Sequence, residues 1–108
     1  MKHIKDGVSL VKLAQVMLDA CLTMQEVFTK HNVDFVITAG DDGNHMTGSL
    51  HYRGYAVDLR SRHLGLVQQA LILSDIKLQL GNDFDCILEG DHVHVEYDPQ
   101  HNGGKNLP

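Results

Sequence analysis

Apolar side chains recur at Leu10, Leu13, Ala14, Met17, Cys21, Met24 and Phe28. Steps of three and four place them on one stripe of an amphipathic helix. Ser9 stands where a cap would open this helix, and Asn32 where it would close. The two methionines of the stripe read as core filler. The run from Asp34 to Ala39 is β-branched and aromatic and stops at Gly40, which predicts a short strand. Residues 40–44 have loop composition. Tyr55 to Leu59 alternates in polarity and predicts a second strand. A second helix is expected from about Leu64 to Leu80, with Leu64, Val67, Leu71 and Leu78 on one face and Gly81-Asn82 as its stop. Phe84 to Leu88 and His92 to Tyr97 then read as two strands around Glu89-Gly90-Asp91. From Asp98 the chain is polar and glycine-rich, the composition of a loose tail.

This order of elements predicts an α+β fold, a small and mostly antiparallel sheet with helices packed on one face. At 108 residues the chain makes one domain, 1–108, with 98–108 as its tail. Net charge is −5 with nine lysines and arginines, too few for the basic face that a nucleic-acid binder presents. No apolar run is long enough for a signal peptide or a membrane span. The expectation is a monomer made in the cytoplasm, with neither nucleic acid nor an inserted membrane segment as partner. Cys21 and Cys86 sit in apolar runs and read as buried thiols.

Charge and hydropathy leave one feature unexplained, eight histidines in a short chain. Imidazole titrates near neutrality and binds metals. In the last strand Val93, Val95 and Tyr97 share one face by period two, and His92, His94 and Glu96 share the other. The apolar face should meet the helices, so the open face carries two imidazoles and a carboxylate. Imidazole nitrogen and carboxylate oxygen are zinc donors, and a catalytic zinc takes three of them plus a water. His51 and Asp58 offer two more candidates. They cannot share a face of a straight strand, but Gly54 lets the chain bend between them and Ala56 leaves room.

The stretch Ser49-x-His51-x-x-Gly54-x-Ala56-x-Asp58 resembles, at every fixed position, the signature of a family of zinc peptidases. That family includes D-alanyl-D-alanine carboxypeptidases, phage L-alanyl-D-glutamate endolysins and the signalling domain of hedgehog proteins. Asp91-His92-Val93-His94 is similar to its second motif, an acid followed after two residues by the third metal ligand. The likeness to hedgehog domains extends to Gly43-Asn44-His45 ahead of the first motif. The length is that of a bare catalytic domain of phage type.

The resemblance implies a hedgehog- or D-Ala-D-Ala-peptidase-like fold and a zinc ion held by His51, Asp58 and His94. His92 competes with His94 in sequence; beside the metal it would donate to the oxyanion, with His45 as a further group near the zinc. The general base is Asp91 or Glu89. Asp91 has the family spacing and Glu89 the more usual residue type, and both stand at odd spacing from His94, so each needs a bend at Gly90. Glu96 would orient a ligand from behind. The family's substrate-holding arginine has no counterpart, because no arginine precedes Arg53. Arg53 and Arg60 flank the motif and could stand in for it. The implied activity is hydrolysis of peptidoglycan stem peptides by zinc-activated water, of carboxypeptidase or L-Ala-D-Glu endopeptidase type, on a cell wall reached after release. The alternative is a catalytically inactive, zinc-stabilised binding module.

Overall fold

The computed structural model describes residues 4–40 and 54–99. Two helices, α1 (Gln15–Lys30) and α2 (Leu66–Leu80), accompany four strands: β1 (Ile37–Ala39), β2 (Ala56–Arg60), β3 (Phe84–Glu89) and β4 (His92–Tyr97). The strands form one antiparallel sheet in the order β1-β2-β4-β3. The expected α+β class and antiparallel sheet are present.

The two faces of the sheet differ as the period-two pattern requires. Val57 pairs with Val95 and Leu59 with Val93, and all four are buried. They join Met17, Met24, Val27 and Phe28 of α1 and Ile72 and Ile76 of α2 in a single core. The opposite face carries Asp58 beside His94 and Arg60 beside His92. Both helices therefore cover one side, and the polar row lies on the other.

Three expectations are corrected. First, α1 begins at Gln15, not near Leu10, and Ala14 rather than Ser9 stands at its cap. The Ser9 Oγ instead accepts a bond from the Val11 amide at 3.4 Å. Leu13 is buried without being helical, because the segment before α1 is held elsewhere: the Ala14 amide donates to Gly54 O at 3.0 Å. Gly54 has φ +79°, and a Cβ there would lie 2.1 Å from Lys12 O, so this crossing admits glycine alone. Second, β1 has three residues rather than six. Its register slips between Ile37 and Ala39, which shortens the ladder. Third, the buried face of α2 is Ile72 and Ile76, flanked by Leu73 and Leu80, whereas Val67, Leu71 and Leu78 are exposed. The stripe through Val67, Leu71 and Leu78 is interrupted by Ser74, while 72-76-80 runs unbroken and packs better.

Helix ends follow local chemistry. Asn32 adopts φ +62° after α1. The Val33 amide reaches Phe28 O at 3.1 Å and the Asn32 amide reaches Thr29 O at 3.0 Å, the paired bonds of a Schellman motif. Gly81 closes α2 as expected. Cys21 and Cys86 are buried free thiols, both pushed up to about 11 by desolvation.

Candidate functional site

The site is built on the two central strands. Asp58 and His94 are directly opposite each other in the β2–β4 ladder, though 36 residues apart in sequence. His94 Nδ1 lies 3.0 Å from Asp58 Oδ1, and His94 Nε2 lies 2.6 Å from Glu96 Oε1. All three side chains are half-buried. With a carboxylate at each nitrogen, His94 donates from both as the imidazolium. The Asp58 bond, helped by Glu96 and opposed by burial, raises its pKa to about 9.

His92 lies one step along the same face. Its Nε2 stands 3.9 Å from Asp58 Oδ2 and 3.7 Å from Glu89 Oε1, and its Nδ1 stands 3.1 Å from Asp91 Oδ1. The two candidate bases therefore occupy opposite sides of one ring. Glu89 and Asp58 approach the Nε2 edge, and Asp91, which lines the neighbouring cavity together with Asp58, approaches the Nδ1 edge. The hydrogen bond with His92 holds the Asp91 carboxyl below the usual carboxylate range.

The hairpin explains how Glu89 arrives there. Glu89 pairs with His92 across a loop of two residues, Gly90 and Asp91. Gly90 has φ +62° at the first loop position, as a type II′ hairpin asks. Cross-strand partners share a face, so Glu89 joins His92 and His94. Counting residues along one strand had placed it off that face. A tight reversal, not a bend within a strand, supplies the alignment. Ser61 braces the turn from the neighbouring strand, its amide donating to Asp91 O at 2.9 Å.

No protein-family model, no curated protein and no solved structure matches this chain. The chemistry of the site rests on its own geometry.

Asp58 and His94 suit a zinc ion as two of its ligands. Donor atoms about 2.0–2.1 Å from a tetrahedral metal stand ~3.3 Å apart, close to the Oδ1–Nδ1 separation observed. Glu96, bonded to the other nitrogen of His94, is the outer carboxylate that orients ligating imidazoles. Ligation at Nδ1 requires that its proton leave. His51 and His45 lie outside the described residues, as do Ser49 and Arg53. Among the described residues no group of three metal-binding side chains is assembled. Two of the expected ligands are thus brought together, and His92 and Glu89 are brought beside them.

A cavity of about 210 Å³ opens next to this cluster, lined among others by Lys5, Thr38, Asp58, Arg60, Arg62 and His92. Thr38 Oγ1 donates to Asp58 O at 3.4 Å. Sequence reasoning singled out Arg60 but missed Lys5, Thr38 and Arg62. Arg62 lies two residues after Arg60, in the turn that follows β2, where the Leu64 amide donates to Ser61 O. Nothing local connects Lys5 to the site.

Proposed function

We propose that the protein is a zinc-dependent peptidase that hydrolyses peptidoglycan stem peptides, as a D-Ala-D-Ala carboxypeptidase or an L-Ala-D-Glu endopeptidase. The observation that carries this reading is the Asp58–His94 pair. Two residues from separate sequence motifs, both of zinc-donor type, meet at hydrogen-bond distance on one half-buried sheet face. The finer fold reading, a hedgehog-like peptidase domain, goes with the proposal.

In this reading Asp58 and His94 hold the metal together with His51, and Glu96 keeps the His94 ring in place. Zinc, when bound, supplies an acidified water and polarises the scissile carbonyl. Glu89 is preferred over Asp91 as the base because it lies on the Asp58 side of His92. Glu89 takes the proton of the attacking water and returns it to the leaving amine. His92 donates from Nε2 to the oxygen that gains charge. His45 remains a further candidate near the metal. The enzyme would act on the cell wall after release from the cytoplasm.

The test is incubation of the purified protein with defined muropeptides, with and without chelator, read by mass spectrometry alongside metal analysis. About one zinc per chain is expected, with cleavage abolished by the chelator. His51→Ala, Asp58→Ala and His94→Ala should each lose tight zinc binding, while His92→Ala keeps it. Full zinc retention in Asp58→Ala and His94→Ala overturns the site. Zinc binding without any cleavage replaces the peptidase with the binding module.

A further inference from the structure

The outward face of α2 has the composition of a buried one. Of its 15 residues only Asp75 and Lys77 are charged, and Asp75 is held by Lys30 and His31 at the end of α1. Ile72 and Ile76 fill the core side. On the opposite side Val67, Leu71 and Leu78 are 74%, 55% and 78% exposed, with Ser74 exposed between them. Their spacing of four, three and four residues makes one stripe along the helix. Exposed apolar residues scattered singly are ordinary, but a row of them marks a surface that meets a partner. A helix apolar on both faces is one covered on both.

Self-complementarity identifies the occupant. A second α2 can be laid antiparallel on the first about a two-fold axis between Leu71 and Ser74. Leu71 then stands against the partner's Ser74, and Val67 against the partner's Leu78, so large meets small at the centre and the apolar ends close over it. Lys77 falls beside the partner's Gln68 and Asp75 beside the partner's Ala70, so no like charges meet. A parallel pair would set Lys77 against the partner's Lys77. The Ser74 hydroxyl can donate to the carbonyl one turn back, so covering it strands no polar group. Residues 100–108, which follow β4, offer Leu107 as their only large apolar side chain and cannot match the stripe.

We infer that the stripe of Val67, Leu71, Ser74 and Leu78 is the contact between two copies of this chain, packed antiparallel through α2 as a reversible homodimer. The area decides how tight it is. A helix of this length is about 22 Å long and ~10 Å across, so its outward half presents about 350 Å² and the pair buries about 700 Å². Stable interfaces begin near about 1,200 Å², so this one exchanges, with a dissociation constant of about 10⁻⁵–10⁻³ M. The net charge of −5 per chain opposes association, and the stripe keeps that charge out of the contact. Because α2 packs on the core side of the sheet, the dimer leaves the Asp58–His94 face open in both copies. The inference is therefore independent of the peptidase reading.

Sedimentation velocity on the full chain from about 10 μM to about 1 mM tests this, with circular dichroism and urea unfolding as controls for the fold. The weight-average mass should rise with concentration toward twice that of the chain. Leu71→Glu and Leu78→Glu, both at exposed positions, should keep the fold and hold the chain monomeric throughout. Gln68 reads the register. Gln68→Glu should tighten association about threefold by facing the partner's Lys77, and Gln68→Lys should weaken it by about as much. Overall charge alone predicts the reverse order, since the lysine variant is nearer neutrality. A monomer at every concentration overturns the inference, whether the stripe is bare or covered by the chain's own segments. A dimer that survives both Leu71→Glu and Leu78→Glu overturns it as well, because it would use another face. A stripe-dependent dimer with the Gln68 order reversed overturns the antiparallel packing.

Discussion

At the scale of single residues, His92 separates two carboxylates that are nearly equivalent in sequence. Asp91 bonds its outer nitrogen and is 70% exposed; Glu89 faces the inner nitrogen, which also faces Asp58. Glu89→Gln keeps the shape and removes the proton acceptor. It should lower hydrolysis by about 10²–10⁴-fold, the usual worth of general acid–base catalysis, with zinc content unchanged. Asp91→Asn should cost far less, since it loosens one hydrogen bond at the rim. Steady-state rates on a cleaved muropeptide check both variants. The opposite ranking would assign the role to Asp91.

At the scale of elements, α2 shows how a helix with apolar residues on several sides is oriented. Ile76 is fully buried and Leu78, two residues on, is 78% exposed. Ile76→Ala should destabilise the fold by about 2–4 kcal/mol, through lost transfer energy and an unfilled cavity. Leu78→Ala should change stability by no more than about 0.5 kcal/mol. Urea unfolding followed by circular dichroism distinguishes the two, and equal costs would mean that α2 is rotated about its axis. The β3–β4 hairpin has the complementary role on the other face of the sheet. Its two-residue turn sets the register that puts Glu89 opposite His92.

At the scale of the whole molecule, a polar clamp ties the end of α1 to the middle of α2. Asp75 accepts from Lys30 Nζ at 2.7 Å, His31 Nε2 at 3.0 Å and Gln79 Nε2 at 3.3 Å. The Lys30 bond, seconded by His31, lowers its pKa to about 2. An unfolded aspartate titrates near 3.9, so its depressed folded value contributes stability that is complete above about pH 4. That contribution fades as the pH falls through about 2. Asp75→Asn should therefore melt below wild type at pH 6, and the gap should close as the pH approaches 2. Thermal unfolding across that range checks it; a gap independent of pH would show that the clamp does not depend on the carboxylate charge.

Period two alone determined that His92, His94 and Glu96 share a face, because the rule acts between next-but-one neighbours and needs no partner strand. The same local logic made the α+β order, the Asn32 and Gly81 helix stops and the burial of both cysteines legible. It misplaced the start of α1, since hydrophobic spacing reports burial, and Leu13 is buried without helical dihedrals because Gly54 holds the segment before the helix. It also misread the inward face of α2, where apolar residues on several sides leave the choice to packing. Only the tertiary structure decided which groups meet across strands. Ladder register set Asp58 against His94, and hairpin closure carried Glu89 onto their face. Docking of the N-terminal segment against β1 brought Lys5 to Arg60 and Arg62. Each of these contacts joins residues whose separation along the chain carries no distance information, so it exists only once the sheet has closed.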